Sequence, residues 1–436
     1  MTAARGERLL VGLLLALLAG VLVWNAFQYP WRKGYDATAG AHYAETLGQE
    51  HRLPRRDETD VWHNPPLFYA IAGVVYRANE LIGVLQPGRA VQLTSALFVL
   101  GIVALTYLLA RELFPSSRWI PFLALLLAVL TPVLVRAGSL FHPEPLATLL
   151  ATAGLYVLVR GLARNRLGWP VGLAAGVLLG LANLTRTWAL AALGAALLGV
   201  GLRWLWRREP AAVQTLVGVL AASAVFVVPW LAVKTVAYGS PFAYSRPVAE
   251  QWRQHGRPAN FWLDLAPRDV ATHPYQPWFR NRLVPAVYAD WWGDYWRIWR
   301  VPSRLKDEPD LLPSAQERPL ARQSIAGLGM TAAIVSGLVA LGFRAVRRRD
   351  AAVATLLLSV ALLAAAFVSF LVQYPKQDGD NIKALYVLSA APVLALAAAY
   401  ALGWLAGSGR LGFVLSAGVV VALAVPTAWF VVLPPG

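Results

Sequence analysis

Residues 34–69 read GYDATAGAHYAETLGQEHRLPRRDETDVWHNPPLFY. The stretch follows one uncharged apolar run, Leu9–Phe27, and leads into another at 65–84. It holds Asp36, His42, Glu45, Glu50, His51, Asp57, Glu58, Asp60 and His63. The run before it is long enough to cross a bilayer, which takes about 17–25 apolar residues. It is too long for the roughly 7–15-residue core of a signal peptide, and no small-residue cleavage site follows, so it reads as an uncleaved first span. Titratable chemistry is therefore gathered just where the chain first leaves the membrane.

The same pattern repeats outward from this stretch. Val91–Ala110, Ala212–Val233, Ala351–Gln373 and Leu411–Leu433 are further clear runs. The chain is 58% hydrophobic and 14% charged, with mean hydropathy +0.52, whereas a soluble domain carries about 25% charged residues. About twelve apolar segments are legible at the lengths a bilayer needs: 9–27, 65–84, 91–110, 119–135, 143–160, 169–183, 187–202, 212–233, 324–343, 351–373, 384–406 and 411–433. The expected class is an all-α integral membrane protein. The expected organisation is an N-terminal membrane module at 1–236, a Trp-rich outer loop at 237–323 and C-terminal membrane helices at 324–436.

The net charge of +16 lies largely in Arg-rich links at 111–118, 160–168, 203–210 and 344–350. Positive residues in short links mark the cytoplasmic side. The N-terminus, with Arg5 and Arg8, falls on the same side, and both long polar stretches, 28–64 and 237–323, then face outward. Strict alternation of twelve spans would place 237–323 inside, so one segment fails to cross. The candidates are 65–84, which carries Arg77, Asn79 and Glu80, and the short pair 169–183 and 187–202 around NLTRT. Backbone of that kind is tolerated at membrane depth where protein or a wet cavity surrounds it. No internal repeat, phosphate loop or dinucleotide fingerprint stands out. The chain has no Cys, which excludes disulfides and thiol chemistry.

Within the opening stretch a helix from Ala37 places His42 and Glu45 on one face, three residues apart. Pro54 ends that element, because the residue before a proline disfavours helix. The expected picture is a short amphipathic helix at the membrane surface. A loop follows, and then a helix opened by NPPLFY. Asp57, Glu58 and Asp60 read as solvated loop charges. Asp36 stands apart from them at the membrane rim. His42, Glu45 and His63 form a carboxylate–imidazole set suited to a divalent ion such as Mg, Mn or Zn.

Cations inside apolar runs are costly, about 2.5–3.5 kcal/mol at the bilayer centre. Arg186, Lys234 and Lys383 are therefore candidates for binding an anion, with snorkelling to head groups as the alternative. His142 and Glu144 open a helix in FHPEPLATLL, where Glu144 either caps the N-terminus or meets a ligand. In 273–300, Trp291, Trp292, Trp296 and Trp299 crowd together with Asp290, Asp294, Arg280 and Arg282. They read as an interfacial aromatic belt or as a platform for sugar rings or isoprenoid. His255 and His273 share that loop.

Taken in order, these motifs resemble a family. Asp36 just past the first span, then HY at 42–43, LP at 53–54 and NPPLFY at 64–69 resemble GT-C-type membrane glycosyltransferases. The nearest likeness is to the dolichyl-phosphate-mannose–protein mannosyltransferase-like group and its bacterial relatives. The likeness continues through RAGSLFHPEPLATLL, GLANLTRTWAL, VPWLAVKTVAYGSPFAYSRP and GDNIKALYVLSAAPVLAL. It departs at Ala37, where the family often has a second acid, and at Leu385, where it often has Arg.

The resemblance implies a bundle of about 11–13 transmembrane helices with short amphipathic helices in the first outer loop. It implies transfer of a sugar from a polyprenyl-phosphate donor to an acceptor at the outer face of the plasma membrane, with inversion. Asp36 would be the catalytic carboxylate. Arg186, Lys234, Lys383, His142, Glu144, Tyr43, Trp292 and Arg282 would bind substrate. The partners would be the lipid-linked donor, membrane lipid and an acceptor of unassigned class, with no nucleic acid. The alternative reading is a polytopic transporter or lipid flippase of envelope polysaccharide assembly.

Overall fold

The computed structural model describes residues 2–241, 243, 257–274, 279, 282–293, 314–374 and 381–433. Among the described residues seventeen α-helices follow one another and no strand is present. They are α1 Thr2–Gln28, α2 Ala37–Gln49, α3 Leu67–Ile82, α4 Pro87–Leu113, α5 Trp119–Val129 and α6 Pro132–Ala137. Next come α7 Glu144–Ala163, α8 Trp169–Asn183, α9 Leu190–Arg207 and α10 Pro210–Tyr238. Stretch 237–323 contributes α11 Ala259–Leu263, α12 Pro267–Thr272 and α13 Leu283–Trp292. The chain closes with α14 Ser314–Arg347, α15 Ala351–Gln373, α16 Ala391–Gly407 and α17 Arg410–Val431.

Among the described residues nine helices are long and apolar enough to cross a membrane, and α5 and α8 are shorter apolar helices. The chain is a multi-pass membrane protein with the expected all-helical architecture. The exposed hydrophobics that remain, such as Leu10, Leu17, Val225, Val339, Trp404 and Phe413, lie on these long helices, where an apolar surround is the matching solvent.

Contacts between links sort the helix ends into two groups. At one end, Arg164 forks onto Glu112 at 2.7 Å from both Nε and Nη2. There too Arg203 donates to Asn165 at 2.6 Å, and Arg344 donates to the Leu113 carbonyl at 3.3 Å. The four Arg-rich links therefore share one end of the bundle. At the other end, Arg89 donates to the Phe27 carbonyl at 3.1 Å, and Gln92 to the carbonyls of Tyr29 and Ser139 at 3.0 and 2.7 Å. Asn25 donates to the Val431 carbonyl at 2.5 Å there, joining the last helix to the first.

This sorting answers the bookkeeping problem of the sequence. Both ends of α3 lie at the second end. Its first residue, Leu67, donates its N–H to Leu184 at 3.0 Å, and Asn79 near its last turn binds Leu85, which leads into α4. Segment 65–84 is the one that does not cross. The short helix α8 does run from end to end. Its glycines 172, 176 and 180 set it directly on α10. A Cβ at Gly176 would lie 2.6 Å from the Val219 carbonyl, and one at Gly172 would lie 2.5 Å from that of Thr215. Small residues one turn apart give close helix approach in a membrane.

Candidate active site

The cleft forms where the segment between α1 and α3 folds back on the bundle. Helix α2 buries Ala37, Gly40, Ala41, Tyr43 and Ala44, and α3 buries Phe68, Tyr69, Ala72 and Tyr76. These faces close on each other at Gly48 and Gly73, where a Cβ on Gly73 would lie 2.9 Å from the Ala44 carbonyl. The face they make is aromatic. Tyr43 stacks on Tyr69 at 4.1 Å between centroids, and Phe68 meets Phe141 edge-on at 5.6 Å.

A small cleft opens beside this layer. Its walls include Tyr35, Asp36, Asn64, Tyr69, His142 and Arg186. Asp36 sits on the turn into α2 with φ 50° and ψ 16°, a left-handed conformation that Asp adopts more readily than bulkier residues. Its carboxylate is exposed, at the mouth of the cleft and just beyond the end of α1.

Arg186 is another wall residue. It is held between α8 and α9 in extended backbone, φ −151° and ψ 133°. Nε donates to Glu144 Oε1 at 2.7 Å and Nη1 donates to Asn64 Oδ1 at 2.9 Å. Asn64 in turn donates from Nδ2 to the Tyr69 hydroxyl at 2.9 Å. Its own carbonyl accepts from the Tyr43 hydroxyl at 3.2 Å. The guanidinium, 9% exposed, is thus buried with the nearly inaccessible Glu144, 1% exposed. A buried cation needs such a partner and such hydrogen bonds to persist.

His142 is buried beside this pair. Its Nδ1 accepts from the Glu144 N–H at 3.3 Å. Burial, reinforced by Arg186 and Lys383, holds its imidazole well below the usual histidine range. His142 is therefore neutral and carries its proton at Nε2. His63 is half-buried and pushed down to about 3, chiefly by burial and then by Arg186 and Lys234. Lys383 is fully buried. Its ammonium lies over the Tyr35 ring, 2.6 Å from the centroid, and 5.7 Å from that of Tyr386. The Arg186 guanidinium faces the same Tyr386 at 5.9 Å. Aromatic faces are a favourable surround for both cations.

Five of the sequence candidates are therefore brought together: Asp36, His142, Glu144, Arg186 and Lys383. Lys234 is buried in the last turns of α10, 4% exposed, on the His63 side of Arg186. Tyr43 stands behind the cleft wall rather than in it. Trp292 is buried against α14, where its Nε1 donates to Thr331 Oγ1 at 2.9 Å. Arg282 pairs with Asp264 at 3.1 Å and Asp269 at 2.6 Å, tying α12 to the start of α13. Arg280, Asp294, Trp296, Trp299 and His255 lie outside the described residues.

His42 and Glu45 share a face of α2 as expected, but that face is exposed, while His63 points inward. Among the described residues no group of three His, Asp or Glu side chains is placed to hold a metal ion. The proposed ligand set does not assemble. Tyr35, Asn64 and Tyr69 are site residues that the sequence did not mark.

Residues 63–232 match the family model for dolichyl-phosphate-mannose-protein mannosyltransferase. No curated protein matches the chain. Among solved structures it is similar to the Archaeoglobus fulgidus oligosaccharyltransferase in complex with Zn and sulfate. There the TM-score is 0.54 and the identity 16%, over 96% of this chain and 52% of that one. It is similar also to the same enzyme, AglB, in complex with an inhibitory peptide and a dolichol-phosphate. That likeness has TM-score 0.56 and 13% identity, over 97% of this chain and 55% of that one. A looser likeness is to ArnT from Cupriavidus metallidurans in the apo state, TM-score 0.45 and 18% identity, over 99% of this chain and 78% of that one. The chain spans about half the length of the oligosaccharyltransferase. The shared fold is that of a GT-C membrane glycosyltransferase.

Proposed function

We propose that this protein is an inverting glycosyltransferase that moves a sugar from a polyprenyl-phosphate donor to an acceptor at the outer face of the plasma membrane. The observation that carries this reading is the pairing of Asp36 and Arg186 across one cleft at the end of the bundle. A carboxylate stands where an acceptor enters, and cations stand where a lipid-borne phosphate ends. The family model and the dolichol-phosphate in the similar AglB structure support the donor class. The Arg-rich links at the opposite end support an outward-facing cleft. The comparisons give no support to the transport alternative.

In the reaction an acceptor hydroxyl or amine gives its proton to Asp36. The acceptor atom forms a bond to the anomeric carbon as the bond from that carbon to the phosphate oxygen breaks. The departing polyprenyl phosphate keeps the electron pair. Inversion follows from the single displacement. A positioned base contributes about 10²–10⁴-fold. Lys383 and the Nη2 edge of Arg186 meet the growing charge on the phosphate, and such donors are worth about 10²–10³ each. His142, neutral, offers Nε2–H to a sugar hydroxyl or a phosphate oxygen. Asn64 and Glu144 hold the Arg186 fork in its plane. Among the described residues no group of side chains is placed to hold a metal ion, and no step is routed through one.

The test is release of free polyprenyl phosphate. Purified protein in nanodiscs is given a panel of polyprenyl-phosphate-linked sugars, with and without chelator. Release dependent on protein and acceptor is expected for at least one donor. No release with any donor contradicts the reading, and chelator sensitivity measures metal dependence directly.

A further inference from the structure

Where 237–323 packs on the membrane bundle, it buries a carboxylate. Asp290 lies in the apolar helix LVPAVYADWW and is completely buried. A carboxylate in that place is costly unless its charge is met. Its Oδ2 accepts the N–H of Ala384. Arg136, 4% exposed, donates from Nη2 to the Asp290 carbonyl, and the same nitrogen lies 3.9 Å from Asp290 Oδ1. Arg136 also donates from Nε to the Pro132 carbonyl within α6 at 3.3 Å.

One side chain thereby joins three segments. The first is α13 of stretch 237–323. The second is the joint at 383–384, where the chain is extended at Lys383 with φ −133° and ψ 124° before it enters α16 through a 3₁₀ turn. The third is α6, from which the chain runs directly to His142. Neither Asp290 nor Arg136 lines the cleft. Asp290 is bonded to the backbone next to Lys383, which packs on the cleft residue Tyr35.

A buried ion pair is a weak stabiliser, and apolar residues of similar size usually serve as well or better. Its distinct property is directional. A backbone N–H bound to a buried carboxylate fixes the position of that peptide. We propose that Asp290 and Arg136 form a positioning clamp. It sets Lys383 over Tyr35 and couples stretch 237–323 to the phosphate end of the cleft. The functional half of this inference rests on the reading that Lys383 meets the donor phosphate.

The experiment uses full-length protein in nanodiscs and two readouts. Hydrogen exchange over 382–388 reports whether the joint is held. Binding of undecaprenyl phosphate, measured for Asp290→Ala, Lys383→Ala and the double variant, reports the coupling. Asp290→Ala is expected to speed exchange at the joint about tenfold or more while the α8–α10 pair stays protected. It is expected to weaken phosphate binding about as much as Lys383→Ala, and the double variant is expected to be no weaker, since groups acting as one unit are not additive. Asp290→Asn, which keeps an acceptor oxygen, should recover most of the loss.

Should Asp290→Ala fail to insert, Asp290→Leu with Arg136→Met keeps the packing without the tether and carries the same expectations. Unchanged exchange at the joint, or additive losses in the double variant, overturns the clamp. Unchanged phosphate binding in Lys383→Ala instead overturns the role given to Lys383, and exchange alone then judges the clamp.

Discussion

Asp36, Arg186 and Glu144 differ in kind. Asp36 is exposed and held by its backbone; Arg186 and Glu144 are buried and held by each other. Removing Glu144 leaves a buried guanidinium without its carboxylate, which costs about 3–5 kcal/mol. Glu144→Ala is therefore expected to lower the melting temperature in detergent steeply, and a variant as stable as the parent would contradict the pairing. His63 adds a pH dependence. Its folded form resists protonation down to about 3, whereas a free histidine protonates near about 6.5. Stability from its neutral state is therefore fully present above about pH 6.5 and is lost as pH falls toward 3. Melting curves of His63→Gln should show a smaller acid loss over that window; an unchanged pH profile would contradict this.

The charged members of the site were legible because a charge at the edge of an apolar run has few bland explanations. Asn64, Tyr35 and Tyr69 were not legible, because neutral hydrogen-bonding and aromatic groups look alike in a loop and in a site. Trp292 and Arg282 do not line this cleft. Their crowding in sequence reflects packing on α14 and pairing with Asp264 and Asp269. The metal set failed on direction, since spacing put His42 and Glu45 together on the face of α2 that points away from the interior.

At the scale of elements, the apolar segments all fall on helices, because a bilayer demands length and hydrophobicity that sequence displays directly, although 324–343 lies inside the longer Ser314–Arg347 and 119–135 divides into α5 and α6. Which segment fails to cross was narrowed to a few and not resolved, since α3 and α8 are similarly short, although α3 is the more polar. What separates them is their contacts. Helix α3 lies against α2 by close glycine approach, with both ends at the cleft end of the bundle, whereas α8 carries its glycine stripe along α10. Gly176→Val tests that stripe. Its Cβ alone would press on the Val219 backbone, which cannot rotate away. The α8–α10 pair should part, with lower thermal stability and, because α8 ends near Arg186, weaker polyprenyl phosphate binding. Retention of both would contradict the packing described.

For the whole molecule the ends of the bundle have opposite characters, with Arg-rich links at one and the cleft at the other. Because the chain has no Cys, single cysteines report sidedness without background. Glu50→Cys should react with an impermeant maleimide in intact cells, and Ser408→Cys should react after permeabilisation; the reverse result would invert the topology. The architecture was legible from hydropathy and charge, and the cleft was not, because it arises from loops and helix ends far apart in sequence. The most direct measurement compares the parent protein with Asp36→Asn for turnover of a polyprenyl-phosphate sugar and for binding of polyprenyl phosphate. The account predicts turnover lower by about 10²–10⁴-fold with phosphate binding unchanged. Full turnover in Asp36→Asn would contradict its role as the base, and with it the mechanism proposed for this cleft.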